Sequence, residues 1–480
     1  MAPEEDRSKR SRFPTFRRLA GFLPRVGMGV GFLVAFVLIV SAVWNWRATV
    51  RLEKALDDTR AVGLAVTGEE LNAYHRSQIT GENAAKYYEA AFALMEDSEE
   101  QKALAYNLPL VGRNQPLPPL GEPFPPYILQ AASQYLAGKK EFFDLMGKAA
   151  ACESCVFDLD FTEGADLDFS HLGSARNATR LLLLSAFVEA GHGDLDKAVA
   201  RLDQAFVLER HLRVEPTLLS ALVRGAVGKM SVEAVERLLS TERFSKDQLK
   251  RLQNALASEM TSALWQYIFL GERAFAMSIF DECLYGGDPT TVFYLLNLSG
   301  TRLRPKGIGD ELAARILRSL ARGPIKDEYT GLLHFYTQVV NQASLSPRRA
   351  RKWAQELSED GMQRMGFSKH FVRMLVPAVA EAYDHVLTAH LFSAACETAL
   401  AVERYRIATG QMPTNLQDLV PGYIQAIPED YFGEGALKFK EFEQGYIVYS
   451  VGKDGQDDGG AEDKDEINTK ECDLVFRVMR

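Results

Sequence analysis

ARNATRLLLLSAFVEAGHGDLDKAVARLDQAFVLERHL, residues 175–212, decides the fold class. Apolar residues recur at helical spacing on both sides of Gly191-His192-Gly193-Asp194. A glycine, Gly191 or Gly193, suits the end of the first helix, and Asp194 suits the N-cap of the next. Ala198, Leu202 and Ala205 share one face. The stretch predicts two apolar-striped helices around a short turn, with His192 exposed in it. Similar signals extend outward. An amphipathic run starts at Gly81, and further helices are expected at 217–240 and 245–283. Ser245-Lys246-Asp247-Gln248 opens the last as a capping box. Residues 107–126 are proline-rich and form a connector rather than helix interior.

The pair at 175–212 resembles a tetratricopeptide helix hairpin, with Gly-Asp at the turn. Three recurring copies are not found, so the expected body is an irregular helical-hairpin array rather than a regular superhelix. One interval breaks the helical pattern. FDLDFTEGADLDF, residues 157–169, alternates apolar and acidic residues and predicts strand with a turn at Gly164. Its Asp158, Asp160, Asp166 and Asp168 read as a solvated strand face rather than cation ligands. Gly271-Glu272-Arg273 falls inside a long helix and reads as packing or as a buried acid–base pair.

The N-terminus bears on compartment. Residues 1–25 carry seven basic residues against three acidic ones. The run from Val26 to Trp46 follows without a charge. It is about the ~20 residues that cross a bilayer as a helix, with Trp44 and Trp46 where an interfacial belt belongs. This predicts an uncleaved single-pass anchor at 26–46 in the inner membrane. Positive charge keeps residues 1–25 cytoplasmic and places the rest outside the cytoplasm. LLLLSAFV (181–188) is too short to be a second span.

The full chain has 480 residues, 47% apolar and 25% charged, as in ordinary globular proteins, with net charge −9. Residues 26–480 carry 48 basic against 61 acidic residues, a net of −13. That balance argues against nucleic acid and suits divalent cations or basic partners. Cys152-Glu153-Ser154-Cys155 reads as a local disulfide or two packed thiols, with redox and zinc as lesser alternatives. H-E-x-x-H, G-x-S-x-G and the phosphate-loop motifs are absent from the sequence, which removes the common enzyme classes.

Near residue 408 the composition shifts to prolines and short strands, expected at 437–440, 446–451 and 473–478. Residues 391–480 are read as a separate small α+β head with a three-stranded antiparallel sheet. The ordered series runs from Glu403-Arg404-Tyr405-Arg406 and Thr409-Gly410 to Pro413-Thr414, Leu416 and Leu419. It continues with Ile427-Pro428, Asp430, Phe432-Gly433, Tyr449-Ser450-Val451-Gly452-Lys453-Asp454-Gly455 and Asp473. This series resembles the globular end of the type II secretion major pseudopilin, over about 80 of the 480 residues. The N-terminus departs from that family, since Val26 rather than a glutamate stands fifth after Gly21. The resemblance implies a calcium site in the loop before the last strand. Its best-matched ligands are Asp454 and Asp473, with Asp457, Asp458 and the Val451 carbonyl behind them.

The loop's chemistry agrees independently. Residues 453–473 hold nine acids and three lysines, calcium takes 6–8 oxygens, and crowded carboxylates repel. A plain solvated loop stays open as an alternative. An EF-hand fits less well, because a strand precedes the loop and Gln456 takes the third position. The layout is also similar to large membrane-anchored bacterial envelope proteins that pair a helical body with such a head. The expected role is a protein-interaction scaffold in the envelope, beside a secretion or pilus-like apparatus. The alternative is an extracytoplasmic hydrolase acting on envelope polymers through carboxylates in a helical groove.

Overall fold

A computed structural model describes residues 19–61, 65–112, 115–256, 262–288, 308–357, 370–461 and 472–480. The basic tail at 1–18 and the acid-rich stretch 462–471 lie outside the described residues. The helices are α1 (Leu19–Arg60), α2 (Gly68–Arg76), α3 (Ala85–Ala93), α4 (Glu99–Ala105), α5 (Pro126–Ala137), α6 (Lys140–Ala150) and α7 (Ser170–Gly191). They continue as α8 (Leu195–His211), α9 (Leu218–Thr241), α10 (Lys246–Leu256), α11 (Ser262–Tyr285), α12 (Ile308–Ala343), α13 (Pro347–Glu356) and α14 (His370–Thr409). Strands β1 (Lys438–Phe442), β2 (Gly445–Ser450) and β3 (Leu474–Met479) complete the chain. The fold is mainly helical with a small sheet near the C-terminus, as expected. It divides into two units, residues 1–57 with 280–330, and 58–279 with 331–480.

In the first unit, α1 leaves an apolar surface uncovered from Met28 to Val40, with Phe32 75% and Ile39 62% exposed. From Ser41 the inward positions are 41, 45, 48, 52 and 55, ending in buried Ala48, Leu52 and Ala55. This three–four spacing is that of a helix-pairing seam. Its partner is the first half of α12. Pro324 sits inside α12 and has no N–H to give the Leu320 carbonyl. Ser41 Oγ donates to that carbonyl instead, at 3.1 Å. Lys326 Nζ donates to Thr49 Oγ1 at 2.7 Å. Asp327 takes the Trp44 indole N–H on one oxygen at 2.7 Å and Arg51 on the other at 2.6 Å. A Cβ on Gly323 would stand 3.0 Å from the Asn45 nitrogen, so a bare α-carbon lets the helices approach.

By length and composition, two described helices are apolar enough to cross a membrane, Met28–Arg60 of α1 and Leu375–Thr409 of α14. The α14 stretch is mostly buried inside the fold.

In the second unit the hairpin at 175–212 forms as read. Gly193 turns the chain at φ 81°, where an L side chain would strain. Asp194 caps α8 through the Lys197 N–H at 3.1 Å. The Leu181–Val188 run of α7 is buried throughout. Helix α7 packs on α8 and α9, α8 on α9 and α10, and α9 and α10 on α14. The Ser245–Gln248 capping box is present in both directions, at 3.2 and 2.9 Å.

The strand expected at 157–169 is not there. Residues 156–160 are irregular, and Phe161–Asp166 form a 3-10 helix interrupted at Gly164. Phe157, Leu159 and Phe161 are all buried, which produced the alternation without a neighbouring strand. Asn72 fixes the segment by accepting from the Phe161 N–H at 2.8 Å and donating to Asp160 at 2.7 Å. Asp160 and Asp168 act as local caps, to Thr162 and Ser170.

Arg273 is buried and Glu272 half-buried, but their hydrogen bonds go elsewhere rather than to each other. Glu272 accepts the Leu218 N–H at the start of α9, at 3.0 Å. Arg273, 0% exposed, donates to the Ala65 carbonyl at 2.7 Å and contacts Thr337 Oγ1 at 3.4 Å. Cys152 and Cys155 are unbridged thiols. Burial pushes the Cys155 thiol well above its ordinary value, which suits packing and not thiolate chemistry.

The sheet is antiparallel in the order β1-β2-β3. The helix before it ends at Thr409, with Gly410 at φ 76°. It starts at His370, upstream of the composition change. Leu416–Leu419 form a 3-10 turn capped by Asn415.

Candidate functional site

The sheet is seated on helices at its buried face and at one edge. Tyr446 on the central strand is fully buried, and its hydroxyl donates to the Ala399 carbonyl of α14 at 3.1 Å. One turn further along α14, buried Glu403 accepts from Arg406 at 2.9 Å and from Arg480 at 2.5 Å. Along β3, register points the N–H groups of Val475, Arg477 and Met479 away from β2. Glu236 of α9 takes the Arg477 N–H at 2.7 Å, and Ser240, one turn on, takes that of Met479 at 3.1 Å. Four residues of helix rise about 6 Å and two residues of strand about 6.6 Å. The α9 side chains therefore keep step with the strand edge.

The turn before the acidic loop is built on Asp430, which is 1% exposed. Its carboxylate accepts from Ser450 Oγ at 2.8 Å and from the N–H groups of Val451 at 2.9 Å, Phe432 at 3.0 Å and Gly433 at 3.4 Å. Helix α13 braces this region. Arg348 donates to the Asp430 carbonyl at 2.7 Å, and Arg351 to the Lys453 carbonyl at 2.9 Å. Arg351 also pairs with Asp384 at 2.6 Å and lies 4.5 Å over the Phe432 ring.

The described part of the acidic loop folds back over the sheet. A Cβ on Gly460 would meet the Ile447 side chain, so the loop backbone lies against the cluster of Ile447, Tyr449 and Val475. Asp473 is buried and accepts the Gly460 N–H at 2.6 Å and the Asp458 N–H at 3.4 Å. Asp457 accepts from Tyr449 at 3.2 Å and pairs with Lys438 at 3.1 Å. Lys440 donates to the Gly459 carbonyl at 2.9 Å. Asp454 takes the Gln456 N–H of its own turn at 3.0 Å. The Val451 N–H is given to Asp430. Two lysines of β1 thus serve this loop, which counting charges within the loop does not reveal.

Burial pushes the Asp473 carboxyl above the usual carboxylate range, and Asp457 and Asp458 add to this while the two N–H groups oppose it. The structure brings Asp457, Asp458 and Asp473 into one electrostatic neighbourhood. Among the described residues, no three His, Cys, Asp or Glu side chains form a metal-ligand group. The remaining acids of the loop, Glu462, Asp463, Asp465, Glu466 and Glu471, lie outside the described residues.

Beside this loop is a groove of about 650 Å³ lined by α9, α14, Lys453 and the start of β3. Leu222, Ala226, Val386, Phe392, Leu474 and Val475 give it apolar walls, and Lys229, Glu233, Arg237 and His385 give it charge. Among the described lining residues the three carboxylates are each engaged: Glu233 with Lys229 at 3.6 Å, Glu236 with the Arg477 N–H, and Asp473 with two loop N–H groups. A hydrolase reading asks for a pair of carboxylates facing each other across a cleft.

Asp430 and the arginines of α13 are the residues that sequence reasoning passed over. Asp430 was visible only as one member of an ordered series, and two of its donors, Ser450 and Val451, lie 20 and 21 positions downstream in the chain. No family model matches the chain, and no curated protein or solved structure matches it.

Proposed function

We propose that the chain is a single-pass envelope protein, anchored through residues 26–46 with its N-terminus cytoplasmic, that works as a protein-interaction scaffold. Its place is beside a type II secretion or pilus-like apparatus, in keeping with the pseudopilin-like series at its C-terminal end. The observation that carries this reading is the groove between α9, α14 and β3. Apolar walls, flanking charges of both signs and a strand edge entering at Val475 suit an extended segment of a protein partner. A photo-crosslinking side chain placed at Phe392 of the full chain in its native membrane should capture one recurrent envelope protein. The Leu222→Glu variant should lose that adduct. Recovery of no envelope protein from either position 392 or position 475 overturns the scaffold reading.

The head is proposed to bind calcium, with Asp454, Asp473, Asp457, Asp458 and the Val451 carbonyl as contributors. Support comes from the desolvated Asp473 carboxyl, whose like-charge neighbours a divalent ion would neutralise. Calcium at a hundred times its Kd should raise stability by about 2.7 kcal/mol. The measurement is thermal melting with calcium against chelator. Asp454→Ala combined with Asp458→Ala should abolish the difference. Identical wild-type curves in the two conditions sink the calcium reading.

A further inference from the structure

We propose that a cavity inside the helical body, between α8, α9 and α14, binds a small carboxylate of acetate size through Arg224. The cavity measures about 40 Å³, where one water needs ~10–15 Å³. Glu209 of α8, Arg224 and Gly228 of α9 and His390 of α14 line it. It is separate from the groove. Helices α9 and α14 meet at Gly225, where an added Cβ would stand 3.1 Å from the Ala389 Cβ. Leu222, Ala226 and Lys229 lie on the groove side of that contact, and Arg224 and Gly228 on the other. Gly228 leaves room where another residue would place a side chain toward Glu209.

Arg224 is only 6% exposed. Its one ion pair runs from Nε to Glu209 at 3.6 Å, longer than a hydrogen bond. Among the described residues no hydrogen bond reaches its two terminal nitrogens. A buried guanidinium is stable only with a well-placed anion and filled donors. Burial pushes Arg224 below its ordinary value, Arg213 adds to this, and Glu209 opposes it. Burial likewise holds the Glu209 carboxyl above the usual carboxylate range, although Arg224, Arg213 and Arg210 oppose that. Positive charge is thus in excess around the cavity. His390 is pushed down to about 4 by burial, Arg224 and Arg213, so its ring is neutral at pH 7 and offers one N–H. Tyr431 stacks on that ring at 5.6 Å and fixes its plane. The open fork of a guanidinium matches the two oxygens of a carboxylate. Glu209 on the wall disfavours a doubly charged anion, which selects carboxylate over phosphate. Ala221, Leu256, Leu264 and Val386 give a methyl end its apolar wall.

The test is equilibrium dialysis of the detergent-solubilised full chain against radiolabelled acetate and, separately, radiolabelled inorganic phosphate, at constant ionic strength. The expected result is a single saturable acetate per chain, with phosphate not retained. Arg224→Met keeps bulk and removes the fork, and should weaken acetate binding about tenfold or more, the loss of one charge-assisted pair. Gly228→Ala is the second variant. Its Cβ would stand 3.6 Å from the Glu209 Cγ, an ordinary contact, so the fold accepts it while the cavity shrinks. It should raise the melting temperature through helix propensity and still lose acetate by a similar factor. If Arg224→Met does not fold, Gly228→Ala decides alone. No saturable retention of either anion means that the cavity holds water only and overturns the proposal. Retention of phosphate in preference to acetate overturns the carboxylate assignment. Acetate binding undiminished in Gly228→Ala places the anion elsewhere and overturns the site.

Discussion

Asp430→Ala is expected to lower the stability of the purified chain by about 4 kcal/mol, in the range for breaking a buried charged hydrogen-bond centre. Alanine leaves the N–H groups of Phe432, Gly433 and Val451 and the Ser450 hydroxyl facing a buried carboxylate that is gone. These donors sit on two separate pieces of chain, the turn after Asp430 and the end of β2, so the loss also unties the turn from the sheet. Ser450→Ala removes a single donor and should cost about 1 kcal/mol. Chemical denaturation of the two variants, with limited proteolysis across residues 425–460, separates the cases. A loss under about 1 kcal/mol for Asp430→Ala would mean that water replaces the carboxylate and that the centre is not structural.

Gly271→Ala is expected to cost about 3 kcal/mol, the upper part of the range for overpacking. A Cβ there would lie 1.7 Å from the Pro216 carbonyl oxygen. The clashing atom belongs to the backbone, just before α9, and cannot swing aside like the end of a side chain. The neighbours make yielding harder: Glu272 holds the Leu218 N–H, and Arg273 is tied to Ala65 and Thr337. Gly173→Ala provides the contrast. Its Cβ meets nothing within 4 Å on an exposed turn of α7, so helix propensity alone should stabilise by roughly 0.8–1 kcal/mol. Opposite signs for the two substitutions in the same melting assay are the expected outcome. A neutral Gly271→Ala would show that the approach of α11 to Pro216 is loose.

These cases mark what was legible in the sequence. The hairpin at 175–212, the cap at Asp194 and the Ser245 capping box rest on contacts within a few residues, and local chemistry sufficed to read them. Strand positions in the sheet were off by a residue or two at their ends, as the pleat continues past the last apolar residue. The 157–169 segment failed because alternation records burial and not pairing. The three buried side chains Phe157, Leu159 and Phe161 produced it with Asn72, 89 positions before Phe161, as the fixing residue. The loop chemistry was legible in its acids and not in its counter-charges, which come from Lys438 and Lys440 on another strand. Likewise a neighbouring Glu and Arg suggested a pair, yet successive helix positions point about 100° apart, and each side chain found its own partner.

Helix α14, continuous from His370 to Thr409, has a consequence for how this protein can be taken apart. The change of composition near residue 408 invites a cut at the start of the head, and a cut at 391 passes through the middle of that helix. A fragment made there would keep Ala399 and Glu403 but would lack the α9 side chains that cover the β3 edge. Bare strand edges recruit other strands. Such a fragment would aggregate through that edge, and any binding assay performed on it would report the stickiness of the cut. Shuffling this segment between proteins would need α9 and α13 to travel with it, so its inheritable unit is wider than its sheet.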